Sequence, residues 1–240
     1  MKKATKEFVR MDGRTCTQVR PLSIQYDQFG FADCSVTLHM GRTIVHVAVS
    51  LQESVPPFLR GSGTGWLTAE YAMLPTATTK RTPRDSETGK KQGRSVEIAR
   101  MIGRSLRSVL DYKAVGERTI FVDCDVLQAD GGTRAACITA ASYALVRAIE
   151  RWKERGMVPA IFAMKPILAL SAGIVQDRLM VDLTQQEDTS AQVDVTFVCT
   201  YTGDLAEIQG TGEKGPLCWE FFAELYALCR DALPALIIKA

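Results

Sequence analysis

The stretch QADGGTRAACITAASYALVRAIERW, residues 128–152, decides the fold. Ahead of it, RTIFVDCDVL (residues 118–127) alternates apolar and polar side chains with the period of two that marks a strand. Beyond Gly131 and Gly132 the pattern becomes a long alanine-rich helix that stops near Gly156, with Pro159 past its end. A strand that turns into a helix through two glycines has two physical readings. Glycine lets the backbone turn sharply and approach a ligand, and a helix start offers unpaired N–H groups at the positive end of the helix dipole, which suits an anion. Thr133 would add a hydroxyl and Arg134 a planar fork matched to phosphate. The plain alternative is a strand-to-helix turn with Thr133 as N-cap. The junction alone leaves both open.

Working outward, residues 17–51 read as a strand meander, with Val45, Val47 and Val49 on one face and a turn at Gly41. The following segment is part loop, and its basic portion, about residues 76–93, is expected to be mobile without a ligand. A helix is predicted from an N-cap at Ser95 to about Tyr112, because Ile98, Ile102, Leu106 and Val109 recur at spacings of four and three. After Pro166 come strands in GIVQDRLMVDL, QVDVTFVCTY and LAEIQG, and a last helix in LCWEFFAELYALCRDAL. Strands, then interleaved helices and strands, then a closing helix read as an α+β chain. No linker composition divides it, so residues 1–240 are taken as one domain.

With 46% hydrophobic residues the chain can bury a large core. The seven cysteines are scattered without a C-x-x-C pair, so reduced, buried thiols in a reducing compartment are expected. No apolar run reaches the ~18 residues of a membrane helix and no secretory h-region follows the basic N-terminus. A cytoplasmic protein without a membrane partner is therefore expected. Nucleotide fingerprints are missing: there is no P-loop, and GSGTGW (61–66) has its glycines at alternate positions. His39 and His46 have no partner at ligand spacing and read as structural, and no nucleophile elbow is present.

The net charge of +2 conceals a basic zone. From residue 80 to residue 107 nine basic side chains stand against three acidic ones, a local +6. Within the predicted helix Arg100, Arg104 and Arg107 share one face without interleaved glutamates. A solvated helix face is the ordinary explanation of such a stripe, but its purely basic character also makes a polyanion backbone a reasonable counterpart. In MVDLTQQEDTSAQVDVTF, Asp182 and Asp194 each sit between apolar neighbours, which would turn both carboxylates to the opposite sheet face, with Asp188 in the polar stretch between. Carboxylates near a phosphate-seeking site suit a hard cation such as Mg²⁺ or proton management, whereas scattered surface acids are the plain reading.

The chain resembles bacterial ribonuclease PH through MDGRTCTQVRP, VPPFLRGSGTGWLTAEYAMLP, GKKQGRSVEIARMIGRSLRSVLD, GERTIFVDCDVLQADGGTRAACITAA and VDLTQQEDTSAQVDVTFV, which occur in that family's order. The resemblance implies a fold like the second domain of ribosomal protein S5 and a homo-oligomeric ring of six subunits built from three dimers. It implies a phosphate-dependent exoribonuclease that shortens RNA, chiefly precursor tRNA 3′ ends, and releases nucleoside diphosphates. Carried over by motif, Arg94, Gly132, Thr133 and Arg134 would hold the inorganic phosphate co-substrate. Asp188 and Asp194 would be the catalytic acids and would hold a divalent cation such as Mg²⁺, with Asp182 a nearby acid. Arg81, Arg84, Arg100, Arg104 and Arg107 would contact RNA. The loop after AEYAMLP departs from the family, which has an arginine directly after the proline and further basic residues behind it. Here Thr76 takes that place, and Arg81 and Arg84 remain as anchors. A catalytically silent RNA-binding subunit of an exosome-like ring is the competing reading.

Overall fold

The computed structural model describes residues 9–84 and 93–238. In chain order the elements are β1 (Leu22–Tyr26), β2 (Cys34–Met40), β3 (Thr43–Gln52), β4 (Trp66–Met73), α1 (Gly93–Arg107), α2 (Tyr112–Val115), β5 (Thr119–Gln128) and α3 (Thr133–Glu154). There follow β6 (Ile167–Val175), β7 (Arg178–Val181), α4 (Gln185–Ser190), β8 (Val193–Thr200), β9 (Leu205–Gly212) and α5 (Trp219–Ala232). The first sheet has the order β1-β2-β3-β5-β4, antiparallel except for the parallel pair of β4 and β5. The second has the order β7-β6-β8-β9 and is antiparallel throughout. The chain is α+β.

The helix α3 lies between the sheets, touching β2, β3 and β5 of one and β6 and β8 of the other. Its composition follows from that position. A helix flanked on two sides must be narrow, and Ala135, Ala136, Ala140, Ala141, Ala144 and Ala148 are all buried. Enlarging one of them would force the sheets apart, at a cost of about 1–3 kcal/mol. Val45, Val47 and Val49 face the core as the alternation predicts, and so do Ile120, Val122, Cys124 and Val126 of β5. Side chains of both sheets and of α1, α3 and α5 share one continuous apolar cluster.

Two hydroxyls of α3 set its position along the second sheet. The strand β7 pairs β6 only from Ala172 to Val175. Short of that reach, Ile167 N–H donates to Ser142 Oγ (2.9 Å) and Ala169 N–H donates to Thr139 Oγ1 (3.0 Å). The helix thereby satisfies backbone donors that would otherwise lie buried and unpaired.

The helix α1 differs from its predicted span. It starts at Gly93, with Ser95 already inside, and ends at Arg107 instead of Tyr112. Its last turn tightens as Val109 N–H bonds Leu106 O (3.3 Å) and Ser108 Oγ donates to Ser105 O (2.7 Å). The chain then restarts as α2, where the Asp111 side chain accepts from Lys113 and Ala114 N–H. Of the stretch expected to be a mobile loop, residues 85–92 lie outside the described residues, and residues 76–84 run without helix or strand. All seven cysteines are free thiols, five of them buried. Among the described residues no helix is long and apolar enough to cross a membrane.

Candidate active site

The diglycine turn opens into a cavity of about 530 Å³ lined by Gly131, Gly132, Thr133 and Arg134, by Arg94 of α1, by Asp188 of α4 and by Asp194 and Thr196 of β8. Tyr71 of β4, Arg84 and Ser171 also line it. Arg94 and Arg134, and the acids Asp188 and Asp194 from the second half of the chain, therefore face one space.

The turn itself is built by two left-handed glycines, Gly131 at φ +78° and Gly132 at φ +65°. Gly132 is the N-cap of α3, so Thr133 is the first helical residue and not the cap that its hydroxyl suggests. Its Oγ1 instead lies 3.1 Å from the hydroxyl of Tyr71, a buried residue of β4. Glycine at 131 is also required by packing. A Cβ there would come within 2.4 Å of Leu183 O and 2.7 Å of Gln185 N, so the turn closes against the segment leading into α4. The close approach that the two glycines signal is thus in part an approach to the chain itself. Gly132 in a left-handed conformation followed by helical residues turns successive N–H groups into one concavity, the backbone geometry that binds anions.

Arg134 and Asp194 form an ion pair across the cavity, Nη2 to Oδ2 2.7 Å, with one-fifth of the arginine side chain and less of the aspartate exposed. One guanidinium nitrogen is used in that pair, and the fork has further donors for a phosphate oxygen. Burial pushes the Asp194 carboxyl up to about 6, with the Asp188 charge adding to it and Arg134 opposing it. Burial likewise raises Asp188, against the pull of Arg134 and Arg94. Two carboxylates are thus held in a confined space where their charge is disfavoured. Asp188 is carried by α4, whose start is closed by a reciprocal cap: the Thr184 hydroxyl and Glu187 side chain each bond the other's backbone N–H.

Asp182 is placed differently from the expectation. The strand ends at Val181, and Asp182 adopts φ +51°, so strand alternation no longer governs its side chain. It is buried, and its carboxylate is consumed by arginines: Arg20 Nη2 donates to Oδ1 (2.6 Å), while Arg20 Nε and N–H and Arg14 Nη1 donate to Oδ2. Asp182 is a structural anchor and not a cavity acid. The arginines Arg10, Arg14 and Arg20 are themselves buried, which sequence reading missed. Their outward sign is slight: Arg10 and Arg20 stand beside Val9 and Val19, Arg14 is two residues from Cys16, and the stretch has few acids.

The basic strip is not one uniform surface. Arg84 joins the main cavity, and Arg81 is exposed outside its lining. Arg100 and Arg107 line a second cavity of about 220 Å³, which shares Tyr71 and Ser95 with the first. Arg107 lies over the Trp66 ring, 5.1 Å from its centroid, and donates to Leu67 O. Arg104 is paired with Glu207 of β9 at 2.8 Å, so the acid that no position three or four residues away on the helix offers is supplied by a strand 103 residues on. Tyr71 and Thr196 are among the cavity residues that motif reading overlooked. A tyrosine at an inward position of β4 and a threonine two residues after Asp194 on the same strand face are the signals that would have found them.

Comparison with solved structures shows the same fold in exosome subunits. Rice (Oryza sativa) Rrp46 aligns with TM-score 0.76 at 18% identity, over 95% of this chain and 96% of that one. A chain of the Archaeoglobus fulgidus exosome with RNA bound to the active site aligns with TM-score 0.78 at 21% identity, over 95% and 91%. A chain of an archaeal exosome core aligns with TM-score 0.74 at 21% identity, over 95% and 89%. At the level of sequence, residues 18–149 match domain 1 of the 3′ exoribonuclease family of ribonuclease PH type, and residues 165–219 match its domain 2. These two matches take in both sheets and every residue lining the cavity, and the chain belongs to the 3′ exoribonuclease family.

Proposed function

We propose that the chain is an active, phosphate-dependent 3′-to-5′ exoribonuclease of the bacterial ribonuclease PH kind, trimming RNA 3′ ends, chiefly those of precursor tRNA, and releasing nucleoside diphosphates. The observation that carries this reading is the convergence of Arg94, Thr133 and Arg134 with Asp188 and Asp194 in one cavity at the start of α3. Inorganic phosphate would sit in the concavity of backbone N–H groups, held by the Thr133 hydroxyl, the Arg134 fork and Arg94. There it is aimed as nucleophile at the last phosphodiester of RNA. Arg134 is held by Asp194, so it is oriented before phosphate arrives. Alignment and fixed positive charge then supply the rate. Exchange of a phosphodiester for a phosphoanhydride of similar energy makes the reaction reversible.

A divalent cation such as Mg²⁺ fits the residues present. Among the described residues no group of three or more His, Cys, Asp or Glu side chains could enclose a metal. Mg²⁺ characteristically takes one or two carboxylates and completes its shell with water and substrate phosphates, which matches Asp188 and Asp194. When bound, the cation would offset charge accumulating on the reacting oxygens. Arg81, Arg84 and Arg100 would hold RNA through its backbone, without reading sequence. Six subunits, as three dimers, would form the working ring in the cytoplasm. The threonine at position 76 would leave Arg81 and Arg84 to grip the tRNA body.

A second reading is favoured by the likeness to exosome subunits: a catalytically silent, RNA-binding ring component. RNA incubated with the protein and Mg²⁺, with and without phosphate, separates the two. Shortening only with phosphate, yielding diphosphates, supports the enzyme, and binding without shortening supports the silent subunit. An Arg134→Ala protein that degrades RNA at the wild-type rate in phosphate would sink the assignment of the phosphate site.

A further inference from the structure

On the reverse of the diglycine turn, away from the cavity, lies the buried polar cluster anchored by Asp182. The Arg20 side chain reaches two places at once. One edge of its guanidinium clamps Asp182, and the other donates to the backbone carbonyls of Asp130 (2.5 Å) and Gly131 (3.3 Å). The buried Thr43 hydroxyl donates to Gly131 O (2.7 Å) and accepts from Asp130 N–H (3.0 Å). In a planar trans peptide the C=O and the following N–H point in opposite directions. Fixing the carbonyls of residues 130 and 131 on Arg20 and Thr43 therefore turns the N–H groups of Gly131 and Gly132 away from them, towards the cavity. Asp182 in turn is held from a second side by Arg14, and its own carbonyl accepts from Arg10 (2.8 Å) and Arg14 (3.1 Å). Arg10 also grips Glu187, the neighbour of Asp188 on α4.

We infer that Arg20, Thr43 and Asp182 form a brace that presets the backbone donors of the turn for phosphate and links them to the segment bearing Asp188. These are positioning residues, since none of the three touches the space where phosphate would lie. The inference rests on the proposed phosphate site. A merely structural role for the same cluster would lower melting temperature and leave phosphate affinity alone, because a folded molecule would still present the same donors.

The test uses the whole chain and inorganic phosphate as probe. Thr43→Val keeps the volume and deletes the hydroxyl, Thr43→Ser keeps the hydroxyl, and Arg20→Lys keeps the charge but cannot span the carboxylate and both carbonyls. Phosphate affinity is measured by calorimetry, and the KM values for phosphate and for RNA are measured separately, beside melting temperature. The brace predicts phosphate binding about tenfold weaker in Thr43→Val and Arg20→Lys, as for other outer-shell supports. It also predicts an RNA KM within about twofold of wild type, since only one ligand's site is disturbed, and recovery in Thr43→Ser. Folded Thr43→Val with unchanged phosphate affinity and a lowered melting temperature overturns the brace, and the two Thr43 variants decide the matter if Arg20→Lys does not fold. Wild-type protein that binds no phosphate overturns the cavity reading and the brace together, whereas wild-type binding with unaffected variants overturns the brace alone.

Discussion

Asp194→Asn should make this protein more stable at neutral pH while abolishing its proposed chemistry. Burial and the neighbouring Asp188 lift the Asp194 carboxyl from the usual 3.8 to about 6 in spite of Arg134. That displacement of about two pH units corresponds to about 3 kcal/mol. The sign follows from proton linkage. The folded chain holds this proton more tightly than the unfolded chain does, so its contribution to stability is complete below pH 3.8 and is lost as pH rises through about 6. Asparagine is close in shape to the protonated acid and does not titrate. Wild type and variant should therefore agree near pH 4 and separate above pH 6, the variant ahead by about 3 kcal/mol, which for a chain of this size is about 6–12 °C in melting temperature. Thermal unfolding at a series of pH values, with the difference between the proteins plotted against pH, reads this directly. Added Mg²⁺ at pH 8 should narrow the gap by stabilising wild type alone, because only wild type offers the charged pair to a cation. Parallel pH curves for the two proteins would refute the reasoning, since they would mean that Asp194 is not held charged against its surroundings.

Gly131→Ala should cost several kcal/mol and lose phosphate binding, because a Cβ meets Leu183 O at 2.4 Å and φ is +78°; denaturant melts and calorimetry check it. Thr184→Ala removes the cap of α4 and should cost about 1 kcal/mol in the same melts. If α4 positions Asp188, it should also lower phosphorolysis more than a loss of that size explains. Arg100→Ala should weaken RNA binding and flatten its salt dependence. Arg104→Ala should do so less, because that side chain is engaged with Glu207, and should change stability by less than about 1 kcal/mol at this half-exposed site.

The parts of the structure visible in the sequence are those set by neighbours in the chain. The alternation in β5, the alanine run of α3 and the glycine pair between them are local patterns, and the strand, the helix and the left-handed turn follow from them. Arg94, Arg134, Asp188 and Asp194 were nameable one at a time. Their meeting in one cavity depends on α3 being flanked by both sheets, which no local pattern encodes. The errors share a cause. Asp182 obeys strand alternation in sequence, but the strand stops one residue earlier. Arg104 has no acid three or four residues away on its own helix and is paired with Glu207 on β9. Arg10, Arg14 and Arg20 lie in a segment that reads as solvated, and their burial rests largely on partners far along the chain, Asp182 and Glu187 among them.

The seam between the two sheets also divides the chemistry by sign. The cationic groups of the cavity, Arg84, Arg94 and Arg134, all come from the first family domain, and its acids, Asp188 and Asp194, all come from the second. Each half alone would carry a site of a single charge, without the opposite charge that the proposed chemistry needs. The Arg134–Asp194 contact is thus a stitch between halves as well as a feature of the site. The proposed phosphorolysis would then be a gauge of docking: a perturbation that parts the sheets by a fraction of an ångström should silence it while both halves still look folded.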